Sequence, residues 1–291
     1  MRLPSPNFAN QLRNLLAFVC LGFFATTFPF AAMADGKADH RLSMDERLAE
    51  LSSEELENLL VFVGGNALFA TYHEAGHMLI SEFRIPVLGQ EEDAVDNLAT
   101  IVMLSDETDD RDLLLINAMI GWFLVSSDEE NDLVFYGEHD LDEQRGYRIL
   151  CLMVGADEET FADIARDLEM PDERIESCAY DYAQTSDSWR EVTDPHTSDS
   201  DEPGGKVTVS HEPASEGLES VVLFMKEAEI LEQVAEDLDT YFKLPEQITF
   251  RTTSCGGSNA YWDANDRSVT LCHELLGAFA ELYLDEIANA D

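Results

Sequence analysis

Two histidines four residues apart, with a glutamate directly after the first, fix a helix at the centre of this chain. In Tyr72-His73-Glu74-Ala75-Gly76-His77-Met78 that spacing stacks both imidazoles one turn apart on a single helical face. Apolar periodicity places the motif inside a helix over about residues 60–82. Two rings so placed can direct nitrogens at one ion. Zinc accepts them at about 2.0–2.1 Å, keeps room for a third ligand and a water, and lowers that water's pKa toward about 7. His73 and His77 are therefore read as metal ligands. Glu74, beside the pair, is read as the base that takes the proton of the water.

The third ligand must come from elsewhere. Glu92 follows His77 by fifteen residues in Gln90-Glu91-Glu92-Asp93-Ala94-Val95-Asp96, and Glu92 and Asp96 again stand four apart. Between the two segments, Pro86 and Gly89 break the connection from Arg84 to Gly89, so the second helix can fold back antiparallel to the first. Glu92 then reaches the metal, while Asp96 accepts the free N–H of a ligating histidine. Glu91 and Asp93 remain alternative ligands. The competing reading is an acidic helix start favoured by the helix dipole.

Residues 1–34 have the marks of an export signal: Arg2 and Arg13, an apolar stretch from Leu15 to Ala32, and a small-x-small cleavage site at Ala32-Met33-Ala34. Thr26, Thr27 and Pro29 interrupt that stretch, which argues against a stable membrane anchor after cleavage. Cys20 leaves with the signal. Removing these residues takes away two basic and no acidic side chains. The remaining 257 residues then carry 60 Asp and Glu against 15 Lys and Arg, a net charge near −45. Such a surface excludes nucleic acid and anionic lipid as partners. Cys151, Cys178, Cys255 and Cys272 remain, an even number in a chain bound for the periplasm or the exterior, where disulfides persist. Three pairings are possible. Short loops between neighbouring elements favour Cys151 with Cys178 and Cys255 with Cys272.

Helical periods dominate between Met44 and Met170, predicting helices near 44–58, 60–82, 91–104, 111–126, 139–154 and 158–168. Residues 44–184 are thus a helical, zinc-binding part. Residues 185–213, rich in Ser, Thr, Asp, Pro and Gly, are read as a flexible acidic linker. Residues 214–291 form an α/β part with a helix near 215–237, strands at Gln247–Thr252 and Ser268–Cys272, and a closing helix. Residues 35–291 together are expected to be one domain.

At this point the residues resemble a known group. His73-Glu74-Ala75-Gly76-His77 followed by Glu92-Asp93-Ala94-Val95-Asp96 resembles the gluzincins, in which H-E-x-x-H is completed by a glutamate in an E-x-x-x-D helix. The segment Asn259-Ala260-Tyr261-Trp262 is similar to the N-A-Y-Y segment of neprilysin-like enzymes, an edge strand that holds substrate backbone. There it precedes the zinc helix, whereas here it follows by about 180 residues, as if the domain were circularly permuted. From about Leu59 onward the chain also resembles a bacterial metallopeptidase family recognised by these motifs. The resemblance implies an α+β, predominantly α-helical, zincin-like domain with a small C-terminal β-sheet. It implies Zn2+ on His73, His77 and Glu92, Glu74 as general base, Asp96 behind a histidine, and Asn259 and Ala260 as substrate contacts.

Gluzincins also place a donor on the oxyanion of the tetrahedral intermediate. His139 and Arg145, in Glu138-His139-Asp140-Leu141-Asp142-Glu143-Gln144-Arg145, are the candidates, with surface and capping roles as the alternative. His139 comes first, and is also an alternative ligand. Cys272-His273-Glu274-Leu275-Leu276-Gly277 starts like a second zinc helix, but Gly277 stands where the second histidine is needed. The expectation is a zinc metalloendopeptidase acting on peptides or proteins. The rival is a non-catalytic, zinc-stabilised, exported peptide-binding protein, which has no use for Glu74 as a base.

Overall fold

The computed structural model describes residues 42–106, 108–126 and 138–288. The expected signal, residues 1–34, lies outside the described residues. The chain is α+β and mostly helical, with one four-stranded sheet. Seven helices come first: α1 (Met44–Glu50), α2 (Ser53–Phe83), α3 (Glu91–Leu104), α4 (Asp109–Ser126), α5 (Asp142–Ala156), α6 (Glu158–Asp167) and α7 (Asp172–Thr193). They are followed by β1 (Val207–His211), α8 (Glu219–Glu227), α9 (Ile230–Tyr241), β2 (Ile248–Thr253), β3 (Ala260–Asp263), β4 (Ser268–Cys272) and α10 (His273–Glu286).

α2 is the axis of the molecule. Phe62, Val63, Ala67, Leu68 and Met78 are fully buried along it, and it packs on α3, α4, α9, α10 and both β3 and β4. The sequence places the break between the first two helices near residue 59, whereas the structure places it at Leu51 and Ser52. Ser52 caps α2 reciprocally with Glu55: Glu55 N–H donates to Ser52 Oγ, and Ser52 N–H donates to the Glu55 carboxylate. This S-x-x-E capping box outweighs the periodicity. Arg84 ends α2 in the left-handed region, at φ 54°, and Pro86 prevents continuation. α3 therefore returns along α2. Gly76 sets how close it comes, because a Cβ there would lie 2.8 Å from Val95 Cγ1.

The sheet order is β1-β2-β4-β3, with β1, β2 and β4 parallel and β3 antiparallel on the edge. The segment expected to be a flexible linker, 185–213, is built into the fold instead. α7 runs on through Thr193 because Trp189 and Thr193 are buried and Trp189 Nε1–H donates to the Ala94 carbonyl. Further on, the Asp239 carboxylate accepts the N–H groups of Gly205 and Lys206, and β1 pairs with β2. Polar composition does not stop a segment from docking when its backbone finds partners. The single helix expected near 215–237 is broken at Glu229, which has φ 52°. α5 begins at Asp142, three residues later than expected, so His139 lies ahead of the helix.

Disulfides join Cys151 to Cys178 and Cys255 to Cys272. The first links α5 to α7, and the second ties the loop before β3 to the start of α10. No helix among the described residues is long and apolar enough to cross a membrane.

Candidate metal centre

Antiparallel packing of α3 on α2 sets His73 opposite Asp96 and His77 opposite Glu92. The ligand atoms of His73, His77 and Glu92 lie within 4.8 Å of one another. Glu92 Oε2 is 3.1 Å from His73 Nε2 and 3.3 Å from His77 Nε2. Tetrahedral zinc, with bonds of about 2.0–2.1 Å, separates its ligand atoms by about 3.3–3.4 Å. Two imidazole nitrogens and a carboxylate oxygen thus converge at the right size for that ion. Nitrogen donors also suit zinc better than calcium or magnesium.

Each histidine has a second carboxylate behind it. His73 Nδ1 is 2.7 Å from Asp96 Oδ1, and His77 Nδ1 is 2.8 Å from Glu91 Oε1. An Nδ1–H held this way would leave the Nε2 lone pair available to a metal ion. Burial opposes charge on His73, but its hydrogen bonds to Asp96 and Glu92 outweigh it and raise its pKa to about 9. The same balance, with Glu92 and Glu91 as partners, raises His77. Burial would push Glu92 and Asp96 up. Instead, contacts with His139, His73 and His77 hold Glu92 well below the usual carboxylate range, and His73 and Arg145 hold Asp96 at about 2.

Arg145 grips Asp96 with two nitrogens, Nε to Oδ2 at 2.7 Å and Nη2 to Oδ1 at 2.9 Å. Its guanidinium lies 3.5 Å above the Trp122 ring. Arg145 lines the cleft, yet this fork is committed to Asp96. His139 Nε2 stands 2.9 Å from Glu92 Oε2, with its ring stacked on that of His73 at 6.2 Å.

Across the cleft, Trp262 N–H donates to Glu74 Oε2 at 2.9 Å, while Glu74 Oε1 lies 4.0 Å from His73 Nε2. Burial raises the Glu74 pKa against the pull of His73 and His77. Just ahead of β3, the Asn259 carbonyl accepts from Cys272 N–H. Antiparallel alternation then turns the backbones of Ala260 and Trp262 away from β4 and toward the cleft. The Asn259 backbone faces β4, and Asn259 is among the residues lining the cleft.

The cleft has a volume of about 1040 Å³. Its α2 wall runs from Asn66 and Phe69 through the histidines to Ser81. Its lining also includes apolar residues, Trp122 and Val125 of α4 and Leu275, Phe279 and Leu282 of α10, with the Trp122 ring set edge-on to Phe69. On the Ser81 side Glu91 borders it.

Sequence alone offers Glu91 only as a ligand and gives no signal for Trp122 or for the Trp262 N–H. The acidic run that contains Glu91 was the one visible signal. Cys255 and Cys272 also cluster with Glu274, but their sulfurs are joined, and Glu274 accepts the N–H groups of Cys255 and Gly256.

Comparison with curated proteins and with solved structures finds no match. A family model, DUF4344, described as "Putative metallopeptidase", matches residues 40–192 and 210–290. Those residues hold the whole donor set and the facing strand, and the chain belongs to this metallopeptidase family.

Proposed function

We propose that the protein is a zinc-dependent peptidase that hydrolyses peptide bonds with Glu74 as general base. The observation that carries this reading is the convergence of His73 Nε2, His77 Nε2 and Glu92 Oε2 beside a buried glutamate that faces an edge strand. When bound, zinc supplies a Lewis acid and an activated water.

The chain's own residues do the rest. Asp96 and Glu91 fix the ring orientations of His73 and His77, and Arg145, braced on Trp122, fixes Asp96. An extended peptide adds to β3, using the outward backbone of Ala260 and the side chain of Asn259. Glu74 takes the proton of the attacking water and passes it to the leaving nitrogen, and its raised pKa suits both transfers. His139, exposed and set against Glu92 Oε2 beside the donor set, is the donor for the developing oxyanion, whereas two nitrogens of Arg145 are held by the buried Asp96. The apolar residues of the cleft lining favour a substrate with a large apolar side chain near the scissile bond. The order of elements, zinc helix before edge strand, supports a permuted gluzincin-type, zincin-like domain. Two disulfides support action in the periplasm or outside the cell.

The test is a peptide-library assay of the zinc-loaded protein beside its Glu74→Gln variant. Cleavage by the wild type alone supports the reading. Equal turnover by both would overturn it.

A further inference from the structure

We propose that Arg148 is a positioning residue that holds His139 over the metal centre. α5 faces α3 through two arginine–aspartate rungs, Arg145 with Asp96 and Arg148 with Asp93. Each pair of positions is three apart on its helix, so the rungs lie on neighbouring turns of two antiparallel helices. The second rung does more than join helices. Arg148 Nη1 reaches Asp93 Oδ2 at 3.0 Å, while Nη2 reaches Asp140 Oδ2 at 2.7 Å. Asp93 directly follows Glu92, and Asp140 directly follows His139. One guanidinium therefore ties together the residues next to the two groups whose atoms meet at 2.9 Å, Glu92 Oε2 and His139 Nε2.

The two sides of this bridge are unequal. Glu92 is fixed within α3 and is in contact with both His73 and His77. His139 lies ahead of α5, is 47% exposed, and sets its Nε2 against Glu92 Oε2. The position of His139 is thus the one that depends on Arg148. The two carboxylates are only 24% and 23% exposed, which strengthens the bridge relative to a surface pair. A planar fork spans two carboxylates at once, and a lysine ammonium on a flexible stem does not hold that geometry.

This inference rests on the peptidase reading for the role of His139, so its test carries a second readout. Zinc-loaded full-length protein is compared with Arg148→Met, Arg148→Lys, His139→Ala and the Arg148→Met/His139→Ala double variant. The measurements are kcat and KM on a cleaved peptide, affinity for a phosphonate-linked dipeptide that presents an oxyanion, zinc affinity, and thermal midpoint.

With His139 present, Arg148→Met is expected to lower kcat and phosphonate affinity by about ten- to a hundred-fold. In the His139→Ala background the same change is expected to cost less than about two-fold. Arg148→Lys should resemble Arg148→Met, and zinc affinity should stay within about three-fold. Equal losses in both backgrounds, or zinc loss in step with activity, would overturn the inference. If Arg148→Met fails to fold, Asp140→Asn cuts only the His139 arm and must show the same dependence on His139. Phosphonate coupling without hydrolysis of any peptide would sink the peptidase reading and keep Arg148 in place. Hydrolysis without coupling would do the reverse, and absence of both would remove both.

Discussion

The main-chain N–H of Trp262 donates to Glu74 Oε2 across a separation of 188 residues. The edge strand facing the cleft thus also holds the carboxylate beside the metal donors. One oxygen of Glu74 is fixed by the strand, and the other remains near His73 Nε2, at 4.0 Å.

Glu74→Gln keeps an oxygen able to accept from Trp262 but cannot take a proton. It is expected to retain zinc and lower kcat by about 10²–10⁴-fold, the usual contribution of general base catalysis. Metal content and turnover measured on the same preparation check this.

Glu92→Ala removes one of three donors and is expected to reduce zinc retention far more than Asp96→Asn does. Asp96→Asn leaves the donors in place and should cost about ten- to a hundred-fold in zinc affinity. Asp96→Ala is expected to be worse for folding, because it strands the buried Arg145 charge, a loss on the order of 3–5 kcal/mol. Competition with a chromophoric chelator ranks the affinities, and denaturant unfolding gives the stability.

In the metal-free protein the His73 pKa lies at about 9, above the ordinary 6.5. Its stabilising contribution is therefore complete below about 6.5 and is lost as pH rises through about 9. Asp96, lowered to about 2, contributes above 3.8 and loses that contribution as pH falls through about 2. A metal takes the neutral ring, so binding at pH 7 is expected to release about one proton from His73. Calorimetric titration in buffers of different ionisation enthalpy measures this release. Buffer-independent heats would contradict it.

The Cys255–Cys272 bond closes a sequence separation of 17 residues and anchors the loop that leads into β3. Replacing both cysteines with serine is expected to cost about 2–4 kcal/mol. It should also raise KM more than it lowers zinc affinity, because the strand is loosened while the donors are not. Non-reducing peptide mapping, unfolding curves and kinetics together check this.

Much of the centre was legible because helical spacing is a local property. His73 and His77, and Glu92 and Asp96, share helical faces by arithmetic alone, and Pro86 with Gly89 announced the reversal between them. The even cysteine count and short loops likewise pointed to both disulfides. Helix ends were less legible: the Ser52 capping box was in the sequence, but periodicity drew the break elsewhere.

What the tertiary structure decided are the partnerships between distant residues. The sequence offers both His139 and Arg145 as oxyanion donors, His139 first, and only packing of α5 on α3 commits the Arg145 fork to Asp96. Glu91 behind His77, Trp262 on Glu74, and Arg148 between Asp93 and Asp140 follow from the same packing. The segment 185–213 became ordered structure because Trp189 found the Ala94 carbonyl and Asp239 found two backbone N–H groups. A sequence of this kind states which side chains share a helical face. Which of many charges pair depends on distances set only when helices far apart in the chain are pressed together, and in a chain with 60 acidic residues composition cannot choose among them.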